Sequence, residues 1–249
     1  MKKLINAEIL DNKCVAGDIY RLIVKADMDG KPGQFIQVRL PSNEFTLRRP
    51  FGIAALKDGQ VTMFYRVVGH GTEYLTNVKV GTEINLLGAL GNGFSLSEGK
   101  VLLVGGGLGL APLIFAASEL ESVDVLIGGK NAEEANLWQS EFEPLVDKLF
   151  IATDDGSAGV HGFVTELLPD VLRTNKYDAI LTCGPEIMMR RVAALAKESN
   201  ISCQVSLEKR MGCGLGACLS CSIDTINGRR KICKDGPVFA AEEVFYAQN

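Results

Sequence analysis

The chain has 249 residues, of which 47% are hydrophobic and 22% charged, and a formal net charge of −4. That is enough apolar chain for two ordinary domains and a small module. The mild acidity argues against a surface that neutralises a nucleic-acid backbone, which needs clustered Lys and Arg. Residues Met1 to Glu8 carry no apolar segment and no small-residue cleavage site, so export is not expected and a cytoplasmic location is. The longest apolar run, Val101 to Ala117, contains Gly105, Gly106, Gly107, Gly109 and Pro112. Those residues suit a strand, a turn and a helix better than a membrane span.

From Met1 to about Gly99 the pattern is all-β. Short β-branched or aromatic runs cover Ile19 to Val24, Phe35 to Leu40, Phe51 to Leu56, Val61 to Val67 and Glu83 to Leu87. Asp29-Gly30, Pro32-Gly33 and Asp58-Gly59 punctuate them, and the spacing predicts a small antiparallel barrel over residues 1–99. Within it, Leu47-Arg48-Arg49-Pro50-Phe51-Gly52-Ile53 sets an arginine fork at a strand. The strand Phe64-Tyr65-Arg66-Val67 then runs into Gly69-His70-Gly71-Thr72, a turn that opens a helix. A guanidinium beside helix-start N–H groups makes a cradle for a diphosphate, and Tyr65 offers a flat face for a ring.

Residues 100–205 read as alternating strands and helices, hence a parallel sheet covered on both faces. The strands are Val101 to Val104, Val123 to Ile127, Leu149 to Ala152, Ala179 to Cys183 and Ile201 to Leu207. A helix covers Leu110 to Leu120, and others begin near Phe163 and Glu186. Gly105-Gly106-Gly107-Leu108-Gly109 follows the first strand, where a dinucleotide phosphate can rest on a helix N-terminus, although the spacing is not GxGxxG. Cys183-Gly184-Pro185-Glu186 makes a second tight turn, and Thr153 to Ser157 a third loop, at the same sheet edge. The second strand ends Gly128-Gly129-Lys130, without the acidic tip that marks NAD over NADP.

Residues 206–249 form a loop-rich module with four of the seven cysteines. Cys213-x4-Cys218-x2-Cys221, with Cys233 further on, is the plant-type ferredoxin spacing for a [2Fe–2S] cluster. Gly212, Gly214 and Gly216 can turn N–H groups toward the sulfurs, and Lys209, Arg210, Arg229, Arg230 and Lys231 flank the loop. A zinc site and free thiols are the alternatives; zinc would want two short CxxC knuckles. Cys14, Cys183 and Cys203 are expected to be buried thiols. His70 and His161 are expected to cap loops. No Ser–His–Asp or paired-carboxylate arrangement occurs, so no side chain is assigned a catalytic role and the chemistry is left to cofactors.

The chain as a whole resembles the ferredoxin–NADP reductase-like flavoproteins. The resemblance rests on the Arg-Pro-Phe, Gly-x-Gly-Thr, Val-Gly-Gly-Gly-Leu-Gly and Cys-Gly-Pro-Glu segments and the cluster loop. Within them it is most similar to the electron-transfer subunits of heteromeric, NAD-linked dihydroorotate dehydrogenases, above all from Glu208 to Phe239. The resemblance implies a β plus α/β multidomain fold of FAD barrel, nicotinamide layer and [2Fe–2S] module. It implies that Arg49, Pro50, Phe51 and Gly52 line an FAD, that Phe64, Tyr65 and Arg66 lie along it, and that Gly71 and Thr72 hold its phosphates. Gly52 stands where such proteins usually carry Ser or Thr near the flavin N5. Gly105, Gly106, Gly107, Gly109, Cys183, Gly184, Pro185 and Glu186 would hold the nicotinamide dinucleotide, taken as NAD on the resemblance. The implied partner is an FMN-containing dihydroorotate dehydrogenase catalytic subunit, in a heterotetramer of two of each, acting in pyrimidine biosynthesis. Electrons would pass from it through the cluster and FAD to NAD+. One alternative keeps the cofactors and serves a bifurcating transhydrogenase or a hydrogenase; another is a zinc-stabilised binding module with no redox role.

Overall fold

The structure is a computed structural model that describes residues 3–96 and 98–246. Its first sheet comprises β1 (Lys3–Ala16), β2 (Ile19–Lys25), β3 (Phe35–Arg39), β4 (Arg49–Gly52), β5 (Ala55–Lys57), β6 (Gln60–Arg66) and β7 (Glu83–Leu90), with the short helix α1 (His70–Thr76) between the last two. The strand order is β4-β3-β7-β1-β2-β6-β5, antiparallel throughout. β1 pairs with β7 along its first half and β2 along its second, with register shifts at Ile9/Asp11 and Cys14/Ala16. These bulges turn one long strand around a corner. They also break its alternation, which is why no clear strand is legible there in the sequence. Closure comes from inside: Phe51 of β4 stacks on Tyr65 of β6 at 5.6 Å, and Tyr20 covers the other face of Tyr65 at 5.3 Å.

The second sheet contains β8 (Val101–Gly106), β9 (Val123–Gly129), β10 (Lys148–Thr153), β11 (Val160–His161), β12 (Ala179–Cys183) and β13 (Ser202–Ser206). Between them lie α2 (Leu110–Ser118), α3 (Ala132–Phe142), α4 (Val164–Thr174) and α5 (Glu186–Glu198). The order is β11-β10-β9-β8-β12-β13, all parallel. The chain therefore steps outward from β8 on one side through β9 and on the other through β12. That reversal leaves a crevice beyond the carboxyl ends of β8 and β12, the usual ligand position in such sheets. Helix α3, not foreseen, begins at Asn131, whose side chain caps the Glu134 N–H at 3.1 Å.

The cysteine segment is more ordered than its composition suggests. It forms a hairpin of β14 (Ser222–Thr225) and β15 (Gly228–Lys231), then α6 (Ile232–Asp235), β16 (Val238–Ala240) and α7 (Ala241–Phe245). β16 returns to the second sheet and pairs antiparallel with β13. One buried cluster contains Phe35 and Leu90 of the barrel, Leu102 and Ile180 of the parallel sheet, and Cys221, Cys233 and Phe239 of the cysteine segment. A second contains Phe64 and Trp138, whose rings meet edge to face at 5.3 Å across the barrel–sheet seam. Cys183 and Cys203 are buried as expected. Cys14 is instead exposed, its thiol donating to the Gly17 carbonyl at 3.3 Å. No helix among the described residues is long and apolar enough to cross a membrane.

Trp138 is fully buried and is the one tryptophan of the chain. Trp138→Ala should cost about 3–5 kcal/mol. It should lower the urea midpoint followed by circular dichroism, with a much smaller loss for Trp138→Phe.

Candidate functional site

The four cysteines of the terminal segment stand as two pairs. The Cys213 N–H lies 3.4 Å from the Cys218 Sγ and the Cys218 N–H 3.4 Å from the Cys213 Sγ. The Cys233 N–H points to the Cys221 Sγ at 3.5 Å. Further backbone donors serve the sulfurs: Leu215 and Ala217 to Cys213 at 3.3 Å each, and Gly216 to Cys233 at 3.1 Å. Gly214 (φ 68°) and Gly216 (φ 86°) take the left-handed conformation that aims these groups inward. Gly212 does not. Leu219, with φ 62°, supplies the remaining reversal despite its side chain.

The pairs differ in depth. Cys221 and Cys233 are buried, while Cys213 is half-buried and Cys218 exposed. The Ser220 hydroxyl lies 3.2 Å from the Cys218 Sγ. That hydroxyl, followed by the Ser220 and Cys213 N–H groups, holds the Cys218 thiol down at about 6. Burial pushes the Cys233 thiol up to about 12. The flanking cations are less available than the sequence suggested. Arg229 pairs with Asp224, Arg230 with Glu243, and the Lys231 and Lys209 ammonium groups donate to the Gly216 and Ser222 carbonyls. Backbone N–H groups are thus the main electropositive lining.

Among the described residues, no three His, Cys, Asp or Glu side chains are placed to hold one metal ion. A single zinc needs four ligands on one tetrahedron. Two pairs of thiols, each pair able to take one iron, fit a cluster of two irons bridged by two sulfides.

At the barrel, Arg49 reaches α1. A Cβ added to Gly71 would collide with the Arg49 guanidinium, which is therefore packed against the first turn of the helix. A guanidinium packed on a helix start brings two positive poles together, a combination that favours an anion beside them. Thr72 spends its hydroxyl on its own helix: it accepts from Val68 N–H at 2.9 Å and donates to the Gly69 carbonyl at 2.9 Å. Tyr65 does not present a free ring; it is sandwiched by Tyr20 and Phe51, and its hydroxyl donates to Asn12 at 2.9 Å. Phe64 turns to Trp138 and Pro50 is exposed. Gly52 faces α2, where an added Cβ would meet the Pro112 ring at 3.4 Å, an ordinary contact.

At the crevice of the parallel sheet, a cleft of about 400 Å³ is lined by Arg66, Gly106, Gly107, Gly109, Gly184, Pro185 and Glu186. Leu108, Lys130, Met189, Leu207 and Glu208 also line it. The two turns touch: a Cβ on Gly109 would lie 2.5 Å from the Cys183 carbonyl oxygen, which fixes glycine there. Gly105 is not in the cleft, because it packs beneath Leu110. The Cys183 side chain is likewise withdrawn; burial raises its thiol pKa, and it lies against Ser206. Glu186 is exposed and paired with Arg190 at 2.7 Å. Arg66 bridges Asp18 at 2.7 Å and Glu134 at 2.6 Å, joining barrel to sheet at the cleft. An acid therefore does stand near the tip of β9, four residues beyond Lys130, but Arg66 occupies it.

Residues 208–245 match the iron–sulfur cluster binding domain of dihydroorotate dehydrogenase B. The chain is 40% identical over 249 residues to the electron transfer subunit of dihydroorotate dehydrogenase B (NAD(+)) of Clostridium acetobutylicum, covering 98% of each. It is 34% identical to the subunit of the same description in Caldanaerobacter subterraneus, covering 99% of this chain and 100% of that one. Among solved structures, NADH-dependent reduced ferredoxin–NADP oxidoreductase is similar at TM-score 0.86 and 31% identity, covering 96% of this chain and 89% of that one. The ferredoxin reductase of carbazole 1,9a-dioxygenase shares the fold at TM-score 0.69 and 21% identity, covering 80% and 67%.

Arg49→Ala should weaken flavin binding about 10- to 100-fold, the worth of one or two charge-assisted hydrogen bonds. Gly71→Ala should displace the guanidinium and act in the same direction. Titration of the flavin-stripped chain with FAD, followed by flavin fluorescence, measures both.

Proposed function

Since the chain belongs to the family of electron transfer subunits of dihydroorotate dehydrogenase B (NAD(+)), we propose that it links an FMN-containing dihydroorotate-oxidising subunit to NAD+ in pyrimidine biosynthesis. The observation that carries this reading is the arrangement of the four thiols as two pairs, one buried and one at the surface.

In this reading Cys213 and Cys218 hold one iron and Cys221 and Cys233 the other. Arg49 and the first turn of α1 take the FAD diphosphate, with Pro50, Phe51, Gly52 and the backbone of Phe64 to Arg66 beside the flavin. Gly106, Gly107, Gly109, Gly184 and Pro185 let the backbone approach a nicotinamide dinucleotide in the cleft. Bound there, the cluster supplies one-electron transfer and FAD supplies hydride exchange with NAD+. The protein's share is orientation, exclusion of water and N–H donors for the sulfurs. The barrel over residues 1–99, the sheet over 100–205 and the cluster module over 206–249 each carry one of these sites. The working assembly is cytoplasmic, with two copies each of this chain and of the catalytic subunit.

Anaerobically purified protein should contain about two irons and two acid-labile sulfides per chain. Zinc without sulfide would overturn the reading. Co-expressed with its catalytic subunit, Cys218→Ser should abolish reduction of NAD+ by dihydroorotate while FAD stays bound. The isolated chain should oxidise NADH with artificial acceptors and leave dihydroorotate untouched.

A further inference from the structure

Gln37, in β3, has no solvent exposure although it points out of the barrel; its neighbours Ile36 and Val38 fill the interior. Its carboxamide is poorly satisfied. The Nε2 donates to the Met211 Sδ at 3.7 Å, and the Oε1 has no partner. A thioether is a weak acceptor, and buried amides are seldom left in this condition.

The surroundings indicate what the amide serves. A Cβ built on Gly214 would lie 2.8 Å from both the Cγ and the Nε2 of Gln37, so the donor end of the amide is packed on the cysteine loop. Gly214 follows Cys213, and Met211 lies two residues before it. Across the β3–β4 ladder the register partner of Gln37 is Pro50. One side chain of the barrel thus occupies the seam between the Arg49–Gly52 segment and the outer thiol pair. Of the two hydrogens on Nε2, Met211 takes one and the other has no acceptor among the described residues.

We infer that Gln37 is a positioning residue that tunes the cluster. Its N–H end faces the Cys213–Gly214 turn and stabilises the reduced, more negative state of the group held by Cys213, Cys218, Cys221 and Cys233. The inference rests on the cluster reading proposed above. Donors directed at cluster sulfurs raise the reduction potential, because the added electron is stabilised more than the oxidised state. Removing the donor should lower the potential, and a carboxylate in its place should lower it further.

The test is an EPR-monitored redox titration of the anaerobically purified complex of this chain with its catalytic subunit, as wild type, Gln37→Leu and Gln37→Glu. Q37L is expected to make cluster reduction about threefold to tenfold less favourable; tenfold is about 59 mV for a one-electron couple. Q37E should shift it further the same way, with iron, sulfide and FAD contents as in wild type. Loss of the cluster from both variants with FAD retained would overturn the tuning role and leave Gln37 a packing residue. Potentials that coincide with wild type in a variant that loads its cluster would overturn the inference, as would a rise in Q37L. A wild-type complex with no reduced-cluster signal would overturn the cluster reading itself, a distinct result.

Discussion

Cys221 and Cys233 are buried in the same apolar cluster as Phe35 and Leu90 of the barrel and Leu102, Val104 and Ile180 of the parallel sheet. Apolar side chains drawn from three sequence-distant units share one dry interior. Burying a large apolar residue there removes water from all three at once, at roughly 25 cal/mol per Å². The geometry of the sites follows from that shared core. The cysteine loop is held against β3, the Arg49–Gly52 segment is the next strand along, and the crevice of the parallel sheet opens beside Arg66 at the end of β6. Redox groups that must exchange electrons need fixed, short separations, and a continuous core holds the seams between units shut.

The polar contacts divide the labour differently from the way charge counting suggests. Arg229, Arg230, Lys209 and Lys231, which flank the sulfurs, are engaged in ion pairs or donate to carbonyls within the chain. Surface pairs of this kind add little stability. Their effect is to leave fixed backbone dipoles as the lining of the sulfur pocket. Such dipoles do not titrate and do not move with a flexible stem, which suits a group whose charge changes by one with each electron it carries. The Arg49 guanidinium, at the barrel, donates to the Leu47 carbonyl and lies on the first turn of α1, with no carboxylate partner among the ion pairs of the described residues.

Much of this was legible beforehand. Continuous apolar runs followed by glycine gave β8 and β12 with their turns, and cysteine spacing gave the loop that holds the sulfurs. What escaped had a physical cause. Strand β1 is polar and bulged, so its alternation is broken at Ile9/Asp11. Helix α3 signals itself only through the Asn131 cap and two early glutamates. The orientations of Tyr65 and Cys183 could not be read, because an aromatic or a thiol in a strand may face a ligand or a core, and only packing decides. Gln37 was invisible for the opposite reason: a glutamine in a strand looks like a solvated face until another segment covers it.

Strand β16 closes the edge of β13 through three register pairs, Gln204 with Ala240, Val205 with Phe239 and Ser206 with Val238. An unpaired sheet edge invites association with other chains. During synthesis that edge stays open until residue 238 has emerged, since β16 begins there. The segment between β13 and β16 carries every cysteine of the sulfur pocket. Closing the edge therefore also ties down the loop that carries the sulfurs, and a chain truncated before Val238 would leave that edge open.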